Sequence, residues 1–204
     1  VRYILAVHVP ITGLALLPLV AGTPLVLLPL HVVLLELIID PACSIVLERE
    51  PPAPDLMRRP PRPPAQPLLG IATLLASLAQ GAAVFAIVAL VHVIAGNVLA
   101  PAQAGALAFT ALVAGNLGLL LLYREGATTR QLLRQRNAAF WWVAGAIALL
   151  ALLLRVPAVA AKLGFAVPPV AWWLVAIVAP LAASLFMRAA AARWSAHRAR
   201  LALD

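Results

Sequence analysis

The sequence predicts an all-α membrane protein, a bundle of about six transmembrane helices with N- and C-termini cytoplasmic, and three observations carry that prediction. Hydrophobic residues make up 64% of the 204 positions and charged residues only 11%, with a mean hydropathy of +1.02, whereas an ordinary soluble domain is about a quarter charged. The apolar residues form continuous runs rather than alternating ones, which selects helices over a barrel in a solvent that leaves no backbone group unpaired. At a rise of about 1.5 Å per residue a span takes roughly 20 residues, so this length divides into about six spans with short connections.

The first run covers 3–21 and the second 24–47, separated by the turn signal Gly22-Thr23-Pro24, and the two read as a tight helical hairpin. Residues 48–67 follow as a stiff loop, because Pro51, Pro52, Pro54, Pro60, Pro61, Pro63 and Pro64 cannot lie in a continuous helix. Further runs at 68–94, 102–123, 138–154 and 168–187 complete a single transport domain, and 188–204 forms a basic tail. Trp141 and Trp142 open the fifth run and Trp172 and Trp173 lie near the start of the sixth, either as interfacial belts or as packing aromatics.

The formal charge of +8 does not imply nucleic acid, since the basic residues lie between apolar runs instead of on one solvated face. They set topology. Thirteen of the 15 Lys and Arg fall on one side of the bundle and only Arg155 and Lys162 on the other, which places both ends and the proline-rich loop in the cytoplasm. The single cysteine, Cys43, allows no internal disulfide and reads as a packing residue. The chain opens at Val1 without an initiator Met or a signal-peptide cleavage pattern, so it is expected to be a fragment of a longer chain. The Ala-, Leu- and Arg-rich composition suits a bacterial plasma membrane.

Of seven acidic residues, only Glu36 and Asp40 fall inside an apolar run, both in the second, and no Arg or Lys lies in any run. An ionised group at bilayer depth costs about 2.5–3.5 kcal/mol on insertion scales, so the pair requires protons, a partner or a travelling cation. Their i, i+4 spacing stacks them on one helix face, where they can converge on one ion or fix packing against a neighbour. Pro41 follows directly, removes an N–H and crowds the carbonyl of Leu37, loosening the helix beside the acids as in broken-helix ion sites. His8 in the first run can ligate a metal, accept a proton or simply pack, and Pro10 after it should kink that helix or end its hydrogen bonding near Ala6. His31 and His92 lie nearer span ends and have weaker claims. Asn116 can lend a side-chain oxygen, or its neighbours Gly115 and Gly118 serve close helix packing.

The stretch Leu34-Leu35-Glu36-Leu37-Ile38-Ile39-Asp40-Pro41-Ala42, followed by Pro54-Asp55-Leu56-Met57-Arg58-Arg59-Pro60-Pro61-Arg62, resembles the sixth membrane helix and next cytoplasmic loop of P-type cation-transporting ATPases, calcium-pump-like branch. Arg2-Tyr3-Ile4-Leu5 opens what resembles the fifth helix, so the chain resembles the fifth to tenth membrane helices of such a pump. The resemblance implies ATP-driven phosphorylation of an aspartate in soluble domains elsewhere, which alternately exposes membrane cation sites. It places Asp40 at the cation-binding aspartate, Glu36 and Ile39 where calcium pumps have asparagine and threonine ligands, and His8 and Ile11 where they have asparagine and glutamate. Val113 stands at the eighth-helix acid if Asn116 is aligned correctly. With so few oxygens, against the six to eight that Ca²⁺ takes, the sequence supports one cation site, open to Ca²⁺, Mn²⁺, Mg²⁺ or protons, with alternation between cation and protons at Asp40 and Glu36.

The loop residues Asp55, Met57, Arg58, Arg59 and Arg62 resemble the segment that docks on the phosphorylation domain, and the same charges equally serve topology. The partners implied are the transported cation, the lipid bilayer and the missing N-terminal cytoplasmic and membrane domains of the same pump. No phosphorylation motif or phosphate-binding Gly-rich loop occurs in these residues, so the fragment holds no catalytic residue and no cofactor, while the parent chain is expected to use ATP and Mg²⁺. The rival readings are a free-standing membrane module that binds cations or serves as a partner subunit without ATPase activity, and a remnant retained only for packing.

Overall fold

The computed structural model describes residues 2–22, 25–42, 70–123 and 138–201, with backbone only at 40, 42, 138–140, 192 and 194–201. Seven helices occupy these residues: α1 Arg2–Ala21, α2 Pro29–Ala42, α3 Ile71–Gly96, α4 Pro101–Leu122, α5 Ala138–Arg155, α6 Pro157–Lys162 and α7 Val170–Leu201. By length and composition α1, α3, α4 and the Val170–Ala191 part of α7 can cross a membrane, and Pro29–Ile39 and Trp141–Arg155 are shorter apolar helices. Cys43 and the loop residues Asp55, Met57, Arg58, Arg59 and Arg62 lie outside the described residues.

The long helices α1, α2, α3, α4, α5 and α7 alternate in direction, which gives the bundle two distinct ends. Arg2, Tyr123 and Arg188 lie at one, here termed basal, and the α1–α2 and α3–α4 connections meet α6 at the other. The helix α4 is the axis. Every residue from Ala104 to Leu120 is buried, the pattern of a helix enclosed on all sides, and α1, α2, α3, α5 and α7 all pack against it. The outer surface is apolar, with Leu19 81%, Val20 85% and Phe186 73% exposed, as suits contact with lipid or other membrane helices.

In lipid, apolar side chains gain little by leaving one another's company for a neighbouring helix, so association rests on small residues that let backbones approach. Pro10 illustrates this. It cannot donate to the Ala6 carbonyl one turn earlier, and α1 nevertheless continues as a single helix through both Pro10 and Pro18. The orphaned carbonyl is covered by α3, whose Gly81 sits so close that a Cβ there would collide with the Ala6 oxygen and with Val9. In the same way Gly118 of α4 admits α7, since a Cβ on it would lie 2.8 Å from the Ser184 Cβ.

Polar groups fasten the basal end. Arg188 of α7 donates through Nη1 to the Leu121 and Leu122 carbonyls at 2.6 and 2.9 Å, pairing acceptors that the end of α4 would otherwise leave open. The Tyr123 hydroxyl donates to Gln80 Oε1, and its ring meets Tyr3 of α1 edge-on with centroids 6.3 Å apart. Burial pushes the Tyr123 phenol above its ordinary value and keeps it a neutral donor.

Three elements depart from the expected boundaries. The second run, read as helical from 24, is non-helical over 25–28 and enters α2 only at Pro29, a residue suited to a first helical position. Between the fifth and sixth runs, α6 forms because Pro157 suits a first helical position and Gly164, with φ of 68°, supplies the left-handed residue that ends it. The last helix continues past 187 into the basic tail as far as Leu201, through the alanines 189–192, which favour helix more than any other residue.

Candidate functional site

The site grows from α2, and α2 starts at a clasp. Leu28 is its cap, and the Leu28 N–H donates back to Nδ1 of His31, three residues along, at 3.0 Å. With Nδ1 accepting, the ring proton sits on Nε2, which donates to the Leu163 carbonyl at 2.7 Å. That carbonyl is presented by the turn after α6, where Phe165 N–H bonds Ala160 O and Gly164 N–H bonds Ala161 O, the double closure of a left-handed helix end. The same turn lays the Phe165 ring on His31 at 4.3 Å and 9°, with Phe109 of α4 on another side at 5.4 Å.

His31, only 2% exposed, is thus a structural clasp between the entry to α2 and the α6–α7 turn. His31→Phe keeps the stacking but leaves Leu28 N–H and the Leu163 carbonyl unpaired, each worth about 1–3 kcal/mol. It is expected to lower the thermal unfolding midpoint of the purified protein by several degrees, measured by fluorescence in lipid nanodiscs.

Along α2, His31, Leu35, Ile38 and Ile39 form the buried row, at i, i+4, i+7 and i+8. Val33 and Leu37, 64% and 67% exposed, mark the opposite side. Glu36 stands half-buried at the border. Asp40 follows it at i+4 in continuous helix, so the backbone puts the two acids in one row. Counting from Leu28, Glu36 lies about 12 Å and Asp40 about 18 Å along the axis of α2.

Pro41 lies just beyond, and α2 is described only to Ala42. Here α5 makes a contact that sequence reasoning missed: the Trp142 indole N–H donates to the Ile38 carbonyl at 3.3 Å. Its ring is partly buried against the core, so it is neither only an interfacial residue nor only filler. A separation of 104 positions leaves no local signal for this pair.

Asn116 lies in α4 with 0% exposure, and among the described residues neither Oδ1 nor Nδ2 has a hydrogen-bond partner. It shares a stripe with Gly105, Phe109 and Leu112, and Phe109 meets His31. Because α2 and α4 run the same way, seven residues further on each helix brings Asn116 level with Ile38. It is therefore at the depth of the acids but toward the buried row of α2, not the row of Glu36.

His8 is exposed on α1, its Nδ1 bonded to the Ile4 carbonyl at 2.7 Å. Facing a carbonyl, Nδ1 donates, and in the neutral ring Nε2 keeps its lone pair for a ligand. Thr12 follows one turn later on the same exposed side. Each of α1 and α2 packs on α4 without extensive contact with the other, so the structure does not bring His8 to Glu36. Among the described residues no three His, Cys, Asp or Glu side chains converge in a metal-binding group.

At the end opposite the basal one, a cavity of about 480 Å³ opens among Leu17, Val26, His31, His92, Asn97 and Phe165. Its walls are mainly apolar, and the buried Nδ1 of His92 has no partner.

Compared with known protein families, residues 24–193, from the entry of α2 through most of α7, match the family described as "Cation transporting ATPase, C-terminus". No curated protein matches the chain.

Proposed function

The chain belongs to the family of C-terminal membrane domains of cation-transporting ATPases, and from that premise we propose that Glu36 and Asp40 form the core of the site that carries the cation across the membrane. The family makes this chain the membrane, cation-translocating portion of a P-type pump. The observation that carries the finer reading is the position of the acids: a half-buried Glu36 one helical turn from Asp40, within an apolar helix and beside a proline, with no Lys or Arg in the surrounding runs.

Two carboxylates in that setting repel each other and lose their hydration, and a cation between them offsets both penalties. Pro41 cannot donate to Leu37, so the Leu37 carbonyl becomes a further oxygen at the same level. Asn116, unpartnered and at matching depth, and His8, with an Nε2 lone pair on an uncovered face, are further donors that a shift of α2 or α1 would bring in. The outward faces of α1 and α2 await the remaining membrane helices of the pump, which would close the coordination shell. Protons replacing the cation on Glu36 and Asp40 give the return half of the cycle.

In this reading the basal end faces the cytoplasm, as the Arg distribution requires. The loop that holds Asp55, Met57, Arg58, Arg59 and Arg62 receives the push from the phosphorylation domain of the parent pump, where ATP and Mg²⁺ act. The test uses the full-length protein in proteoliposomes, titrated with Ca²⁺, Mn²⁺ and Mg²⁺ over a pH series while ATP hydrolysis and ion uptake are followed. One ion or the proton is expected to stimulate hydrolysis saturably and to accumulate in the vesicles. ATP hydrolysis indifferent to all of them, with no uptake, would contradict the proposal.

A further inference from the structure

We propose that Trp142 is a positioning residue for the cation site: its indole N–H holds the Ile38 carbonyl and so fixes the path of α2 between Glu36 and Asp40. The inference rests on the cation-site reading given above. Ile38 lies two residues after Glu36 and two before Asp40, so the position of its peptide sets the spacing and relative rotation of the two acids. Ile38 belongs to the buried row, 5% exposed, whereas Glu36 stands at the border with the opposite side. The indole therefore grips α2 from behind and acts through the helix without touching the ion.

The local chemistry makes that grip consequential. Within α2 the Leu37 carbonyl has lost its normal donor, because Pro41 carries no N–H. A helix that lacks one hydrogen bond at this point bends more easily, and one carbonyl pinned from outside selects the direction of the bend. Trp142 donates at 3.3 Å from the first turns of α5, with a ring packed on the core. In apolar surroundings the carbonyl has no water to fall back on, so the bond is retained or the helix reorganises. Motion of α2 during transport must then carry α5 with it or break this one bond, which makes Trp142 a latch on the moving helix.

The experiment compares the full-length protein with Trp142→Phe, which keeps a ring and loses the donor. A second variant carries benzothienylalanine at 142, an isostere with sulfur in place of the N–H that preserves the packing. Trp141→Phe is the control, an exposed neighbour 59% accessible. Loss of one hydrogen bond is expected to raise the half-maximal concentration of the activating cation about five- to tenfold. The maximal rate should stay within about twofold, because the acids that bind the ion are intact. Amides just after Ile38 should exchange with deuterium faster in both variants at position 142 and not in the control.

Unchanged cation dependence and unchanged exchange in the benzothienyl variant would overturn the latch. Failure of the underlying reading looks different: there Asp40→Asn leaves activation untouched as well, whereas a failed latch leaves the Asp40→Asn effect in place.

Discussion

Asp40→Asn in the full-length pump is expected to raise the cation concentration for half-maximal ATP hydrolysis by about 100-fold, and Glu36→Gln by about tenfold. Each change keeps the shape of the side chain and removes its charge. A hydrogen-bonded charge is worth about 1.5–3 kcal/mol, or roughly 10- to 150-fold in affinity. Asp40 should show the larger effect because it adjoins Pro41, whose missing N–H leaves the Leu37 carbonyl as one more acceptor for an ion bound there. The loss should be one of apparent affinity more than of maximal rate, since the phosphorylation chemistry lies elsewhere. A structural role for the acids predicts the opposite pattern: reduced expression and thermal stability with unaltered ion dependence.

Gly81→Leu is expected to prevent α1 and α3 from packing, so that the purified protein loses its cooperative thermal transition. Gly81→Ala should already destabilise by about 2 kcal/mol, within the range for overpacked interiors. The reason is that the first atom added meets backbone: the Ala6 oxygen left open by Pro10 cannot rotate away as a side chain could. Gly145→Ala provides the comparison. Nothing lies within 4 Å of a Cβ at that position, so the substitution should be neutral or slightly stabilising through helix propensity. Melting curves followed by fluorescence and size-exclusion chromatography separate the three variants.

Much of this architecture was written in one-dimensional patterns, and the parts that were not have a common cause. Long apolar runs identify helices because the length of a span is a property of the bilayer. Glu36 and Asp40 stand out because charge in such a run is expensive, and their common row on α2 follows from helical spacing alone. The role of His31 did not follow, since its partner Leu163 lies 132 positions away. Half of that clasp was nevertheless visible: Pro157 and Gly164 are the start and stop signals of a short helix. How α1 accommodates Pro10 was hidden for a similar reason. Sequence shows that the Ala6 carbonyl loses its donor, but only the neighbouring Gly81 shows how the helix continues across the gap. Trp142 could be read as an interfacial aromatic from its place near a span end, and only the packing of α5 on α2 reveals that its N–H meets a carbonyl between the acids.

Equilibrium binding of the activating cation to the purified full-length protein in nanodiscs, without ATP, bears most directly on whether α2 holds the transported ion. One saturable site per chain is expected, competed by protons as pH falls and absent from the Glu36→Gln, Asp40→Asn double variant. Undiminished binding in a correctly folded double variant would contradict it.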